Sequence, residues 1–363
     1  MRIGRYLLGR SVRGVVTLLI MIAVVFALYF AIETQPPVQN YVYGGLATKP
    51  PAVQEHAVRH LFYLDDSKPR LFLDYVWGLV HGDLGHARSI DETGNVVDGG
   101  SVGSYVDAPL GATLSLLLGG AMLVLLLSLP LGAISGSRIG SWADRLISFF
   151  ALLMLCAHPM MLALVVRSIG GSTHWIPTTG YCSLTGHSIV ATQIGGAQTY
   201  TCGGVADWAS HLALPWLTFA LLFLALYTRM VRASVAETIN KDFVRTARAK
   251  GASNPRVIGF HVLPSAGLRV LTMVGMEVGT AIATSIYIES AYGINGLGQT
   301  AIQNLGGEAA ALNLPDCLAI VVLITLIVIV GNLVVDLLYA TLDPRVGIGR
   351  TPARTKSVVG GVF

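Results

Sequence analysis

Six stretches almost free of charge recur along this chain, at about 14–32, 110–137, 146–166, 212–228, 270–288 and 317–335. Each is close to the length a helix needs to cross the hydrocarbon core of a bilayer. In hydrocarbon every backbone N–H and C=O must find its partner within the protein, so runs this long and this apolar are read as transmembrane helices. With 53% hydrophobic and 12% charged residues, the chain lies outside the range of ordinary soluble domains. The expected fold is therefore all-α, a polytopic membrane protein with six transmembrane helices. The fifth run contains Glu277, and a carboxylate at mid-span costs about 3 kcal/mol against roughly 0.3–0.6 gained per large apolar residue, so that helix needs neighbours to shield it.

Basic residues orient the spans. Placing the N-terminus in the cytoplasm puts 18 of the 24 Lys and Arg on that side, among them Arg2, Arg5, Arg10, Arg13, Arg138, Arg145 and the group from Arg229 to Arg269. Positive charge concentrates on cytoplasmic loops, so both termini are expected there and the protein in the plasma (inner) membrane. The first run is read as an uncleaved span, since no small-residue cleavage site stands out before Pro36.

The longest soluble island on the basic side is 242–264. Val235, Ile239, Phe243 and Ala247 recur at four-residue spacing with Glu237, Lys241, Arg245 and Arg248 off that stripe, which predicts an amphipathic helix over about 234–250. Gly251 stands where a left-handed residue ends a helix, and Ser253 is placed to cap a second short helix running towards His261. Periodicity alone leaves open a basic helix resting on anionic lipid.

The wording of this island is more specific. Arg245, Thr246 and Ala247, then Gly251, His261 and Leu263-Pro264, follow the spacing Glu-Ala-Ala, three residues, Gly, nine residues, Ile, one residue, Leu-Pro. The segment resembles the cytoplasmic loop of binding-protein-dependent ABC importer permeases, and its Arg-Thr-Ala-Arg-Ala-Lys-Gly wording resembles the dipeptide/oligopeptide branch. His81-Gly82-Asp83-Leu84-Gly85, the Gly296-Leu297-Gly298 loop and the ending Asp336 to Arg345 resemble the same branch. Its usual Pro-Gly-Asp-Pro element is replaced by Glu33-Thr34-Gln35-Pro36-Pro37. The resemblance implies a permease subunit that couples to ATPases through Arg245, Thr246, Ala247, Arg248, Ala249, Gly251, Leu263 and Pro264. It implies a second, similar permease subunit, two cytoplasmic ATPase subunits that carry the ATP and magnesium, and an external solute-binding protein. Related permeases carry dipeptides, longer peptides, glutathione or nickel. Ala247, Ala249 and Gly251 suit close approach of a partner, and the basic residues suit charge complementarity.

The chain then divides into a first span within 1–32, an external segment 33–109, a core 110–345 and a tail 346–363. In the external segment, amphipathic helices are expected near 52–64 and 69–80, followed by an irregular loop over 87–107. His56, His60, His81 and His86 lack a Cys or carboxylate in register and read as surface histidines, with no metal. Gly132 and Gly136 bracket a small-xxx-small pattern with Ser135 as a packing residue, and Gly275, Gly279 and Ala283 repeat the pattern in the fifth span. Glu277, nearby, is either a structural hydrogen-bonding group or a polar wall of the solute path. Cys182 and Cys202 lie in a long external loop, where an oxidising exterior favours a disulfide, while Cys156 and Cys317 are expected as buried thiols.

No Gly-x-x-x-x-Gly-Lys-Ser/Thr loop occurs, nor His-Glu-x-x-His or Gly-x-Ser-x-Gly, so neither an ATP site nor a hydrolase motif is present in the sequence. A stand-alone secondary transporter is the alternative; it would be favoured by charges in several spans or by inverted repeats, and the sequence has one clear mid-span carboxylate. Nothing points to nucleic acid.

Overall fold

A computed structural model describes residues 2–32, 44–91, 93–173, 176–184, 187–192, 196–306 and 314–342. The Glu33 to Pro37 replacement, Arg345 and the tail lie outside the described residues. Twelve α-helices are described: α1 Arg2–Ile32, α2 Pro51–Leu61, α3 Lys68–Val80, α4 Val102–Ser137, α5 Trp142–Leu155, α6 Pro159–Thr173, α7 Val205–Thr238, α8 Asp242–Ala249, α9 Asn254–Val257, α10 Leu263–Tyr292, α11 Leu297–Gly306 and α12 Leu314–Leu342. Two antiparallel hairpins join them, β1 His86–Ile90 with β2 Val96–Ser101, and β3 His187–Thr192 with β4 Gly196–Thr201.

Among the described residues, five helices are long and apolar enough to cross a membrane, namely α1, α4, α7, α10 and α12. The third expected span is not straight. It is the pair α5 and α6, bent by 112° at Cys156-Ala157-His158, and counts as a sixth span only if the pair is taken as one. The break falls immediately before Pro159, which has no N–H to continue the ladder and disfavours a helical residue ahead of it. Cys156, at the break, is exposed, and Cys317 on α12 is half-buried, so neither is the buried thiol expected.

The centre of the bundle is the pair α4 and α7, which run parallel and touch along most of their length. Glycines on α4 set the distance. A Cβ at Gly119 would stand 2.1 Å from Trp216, at Gly120 2.6 Å from Phe219, at Gly132 2.4 Å from Val231, and at Gly136 2.6 Å from the Arg232 carbonyl oxygen. The buried cluster of Leu116, Val124, Phe219, Phe223, Val231 and Val235 is built on this contact. The turn from α4 to α5 is tied to α7 by charge. Asp144, buried, accepts from Arg232 Nε at 2.6 Å and Nη2 at 2.9 Å, from the Gly140 N–H at 2.8 Å and from the Ser135 hydroxyl. Ser135, expected only to pack, is thus a hydrogen-bond donor to this pair.

A second cluster joins α1 and α12 to the segment after the first span, with Tyr29, Phe30, Leu61, Phe62, Leu318 and Val322 at its centre. The expected irregular loop at 87–107 is instead β1–β2 and the first turn of α4. It is held by Arg88, which donates to the His60 carbonyl at 2.6 Å, pairs with Asp66 at 2.9 Å and lies 3.8 Å over the Tyr63 ring. Tyr63 is the one described non-glycine residue with positive φ, at 59°. Burial pushes its hydroxyl up to about 12, so it stays protonated and donates to the His86 carbonyl at 3.0 Å. Further on, the Sγ atoms of Cys182 and Cys202 are bonded, closing the strand pair β3–β4 at its base with the two Cα atoms 5.8 Å apart.

Two outcomes follow. Gly132→Val should weaken the α4–α7 contact by about 1–3 kcal/mol, because overpacking forces backbone apart; thermal unfolding in lipid nanodiscs should show a lower midpoint, and an unchanged midpoint would contradict the close approach. Peptide mapping of non-reduced protein should recover a Cys182–Cys202 linked pair, and reduction should cost this loop of 20 residues about 3 kcal/mol of local stability in the chain-entropy account.

Candidate functional site

Between α7 and α10 the chain builds a compact surface from about twenty residues. The single amphipathic helix expected over 234–250 is two helices. α7 ends at Thr238, Ile239 and Asn240 turn, and Lys241 takes an extended conformation (φ −72°, ψ 152°) before α8 starts. Asn and Asp side chains compete for backbone hydrogen bonds and disfavour helix interiors, while Asp242 at a helix start complements the dipole. The break changes the phase of the apolar stripe. Val244 is fully buried and Phe243 is 45% exposed, the reverse of what an uninterrupted helix would give. Val244 packs with Val235, Val257 and Val262, and Ile239, Ala247, Ala252 and Leu263 close round them.

α8 ends in a Schellman motif. The Gly251 N–H donates to the Arg248 carbonyl at 2.9 Å and the Ala252 N–H to the Ala247 carbonyl at 3.2 Å, with Gly251 at φ +83°. A Cβ on Gly251 would meet nothing within 4 Å, so the demand for glycine there is conformational and not one of space inside this chain. Ser253 occupies the N-cap position of α9, but its side chain makes no capping bond. α9 does not stop near His261; it passes through a π-helical turn, Ile258–Val262, directly into α10.

The residues singled out from the sequence divide into two groups. Arg245, Thr246, Arg248, Ala249, Gly251 and Pro264 are exposed, whereas Ala247 and Leu263 are half-buried and pin the surface to the core. Thr246 turns its hydroxyl back to the Asp242 carbonyl at 2.9 Å, and Arg248 reaches Asn254 on α9 at 3.3 Å. Phe243 and Phe260, the latter 76% exposed, add apolar area between the basic side chains. Sequence reading missed Phe260 and missed the tie beneath this surface: Arg269 on α10 grips Glu237 on α7 with both terminal guanidinium nitrogens, Nη2 at 2.8 Å, and Lys241 joins Glu237 at 3.6 Å. The bidentate fork fixes the angle between the two helices.

Higher on α10 the expected small-residue face divides. Gly275 meets Val335 of α12, where a Cβ would stand 3.1 Å away, but Gly279 has nothing within 4 Å and lies on an exposed strip with Met276, Thr280, Ala283 and Tyr287. At 100° per residue, positions eight apart drift about 80° round the helix, so one four-residue repeat cannot serve one neighbour throughout. Glu277 is half-buried and within electrostatic reach of Tyr227 on α7. At the far end of α10, Glu289 is fully buried. It accepts from the Thr113 hydroxyl at 2.7 Å and from the N–H groups of Gly298 and Gln299 at 2.9 and 3.1 Å, so it caps α11 and binds it to α4 and α10. Gly296 and Gly298 are required beside it, since a Cβ on either would fall within 3 Å of its carboxylate.

The chain as a whole has known relatives. The dipeptide transport system permease protein DppB of Escherichia coli K12 is 31% identical over 299 residues, covering 78% of this chain and 82% of its own. The oligopeptide transport system permease protein AppB of Bacillus subtilis 168 is 30% identical over 285 residues, with the same shares covered. A chain of the inward-facing methionine ABC transporter MetNI covers 64% of this chain and 93% of its own, at 18% identity and a TM-score of 0.44. Residues 128–348 match the family model of the binding-protein-dependent transport system inner membrane component, a stretch that holds every residue of the 242–264 surface, and the chain belongs to that family.

Proposed function

We propose that this chain is the permease subunit of an ATP-driven importer of peptides, and that 242–264 is the surface through which separate ATPase subunits drive it. The observation that carries the reading is the coincidence of the family match with a short, basic, outward-facing helix pinned at Val244 and closed at Gly251. Two relatives named for dipeptide and oligopeptide transport support peptides as the cargo class. ATP and magnesium belong on the partners, since the sequence has no phosphate loop. The concentration of Lys and Arg at this end supports a cytoplasmic location for it and for both termini. The exposed strip Met276, Gly279, Thr280 and Ala283 is the face offered to a second permease subunit, where Gly279, Thr280 and Ala283 are small enough for close approach. The hairpins β1–β2 and β3–β4, at the opposite end, are where an external solute-binding protein docks. Glu277, between the ends, is a polar wall of the path.

The test is reconstitution of the whole complex in proteoliposomes with peptide uptake and ATP hydrolysis measured side by side. Gly251→Val places a β-branched residue in a left-handed conformation, a strain of about 1–2 kcal/mol, and adds bulk to the docking surface. Uptake and peptide-stimulated hydrolysis should fall together by roughly tenfold while the ATPase subunits still bind nucleotide. Arg248→Glu should give a milder loss that deepens as salt is lowered, because like charges are screened less. Normal uptake by the Gly251→Val complex would return the segment to a helix lying on lipid.

A further inference from the structure

The helix α3 carries a face that nothing among the described residues covers. Leu71, Phe72, Tyr75 and Leu79 turn inward and pack on the second cluster, whereas Leu73 is 65%, Trp77 69% and Val80 75% exposed. At 100° per residue, those three exposed side chains share an arc of about 60°. Arg70 and Asp74 lie immediately beyond that arc, paired with each other at 3.7 Å with 84% and 71% of their side chains exposed. Passing round the helix, one meets a face packed on protein, then a narrow apolar strip, then a charged strip.

The depth of α3 is fixed by two contacts with the first span. Phe72 meets Phe26 edge to face at 5.4 Å between centroids, and the Lys68 ammonium lies 4.9 Å over the Phe30 ring. The span covers Gly9–Ala31, so Phe26 lies about 7 Å inside its end and Phe30 at that end. The first turns of α3 therefore rest at the level where headgroups meet acyl chains.

We propose that α3 is an interfacial helix whose Leu73–Trp77–Val80 strip is inserted into the lipid leaflet on the hairpin side of the membrane. A tryptophan with a polar neighbour suits that level, since its ring is amphipathic; the His81 ring lies 4.7 Å from Trp77 and Arg70 and Asp74 reach water. A soluble partner cannot reach the depth of the last turns of a span. The consequence is mechanical. Through its inward face, α3 holds the cluster that carries α2 and, by way of Tyr63 and Arg88, the β1–β2 hairpin, so that hairpin stands at a fixed height above the lipid. The inference needs only that the chain spans a membrane and is independent of what it carries.

The test is nitroxide scanning in nanodiscs on the assembled complex, with Cys156 and Cys317 changed to Ser and single labels at Arg70→Cys, Leu73→Cys, Asp74→Cys, Trp77→Cys and Val80→Cys. Power saturation should show oxygen favoured several-fold over an aqueous nickel chelate at 73, 77 and 80, and the ratio reversed at 70 and 74. Nickel access dominating at 73, 77 and 80 would mean the strip faces water, and shielding from both reagents would mean protein covers it; either result overturns the proposal. As a label-free check, brominated lipid should quench the part of the emission that Trp77→Phe removes, and no quenching of that part would equally count against it.

Discussion

The distance between α4 and α7 governs the rest of the molecule. Four glycines on α4 let Trp216, Phe219, Val231 and the Arg232 backbone come into direct contact with its main chain. In lipid, where tails are as apolar as leucine, helices are held by close packing and hydrogen bonds and not by a hydrophobic drive between them, so this contact is the principal source of order in the bundle. What packs on it inherits its position: α5 through Asp144 and Arg232, α10 through Glu237 and Arg269, α11 through Thr113 and Glu289.

That arrangement links the two ends of the molecule. α7 is one helix from Val205 near the bonded Cys202 to Thr238, immediately before the Ile239-Asn240 turn into α8. α10 runs from Leu263, at the base of the 242–264 surface, to Tyr292 beside Glu289. Tyr292 is itself held at the far end, its hydroxyl 2.8 Å from Thr218 and its carbonyl receiving the Gly180 N–H at 2.9 Å. Two rigid helices clamped together at both ends form the physical connection between a basic surface on one side and the hairpins on the other. Such a connection is what the proposed drive from separate ATPase chains requires.

The features legible in the sequence were those that depend on local chemistry. Bilayer-length apolar runs located the spans because backbone satisfaction leaves no other structure for them. Gly132 and Gly136 announced a close approach, and Gly251 a left-handed helix end, because only glycine serves those positions cheaply. Illegible features depended on context. The break at Asn240–Lys241 turned Val244 inward and Phe243 outward, which no four-residue stripe could foretell once the helix was assumed continuous. The bend before Pro159 could have been suspected from the proline, but its size is set by packing. Asp144 with Arg232 and Glu237 with Arg269 join residues 88 and 32 positions apart, and sequence spacing gives no signal for such pairs. The β1–β2 strands are short and rich in Gly, Ser and Asp, weak strand formers held by Arg88 and Tyr63.

The central claim is that 242–264 is the contact through which another chain's ATP hydrolysis reaches this bundle. A photo-reactive residue in place of Ala249, exposed on α8, tests it most directly in membranes containing the complete complex. Illumination should join this chain to one carrying a Gly-x-x-x-x-Gly-Lys-Ser/Thr loop, and the yield should change when ATP is trapped on that chain. Cross-links to lipid alone, with no ATPase captured in either nucleotide state, would contradict the account.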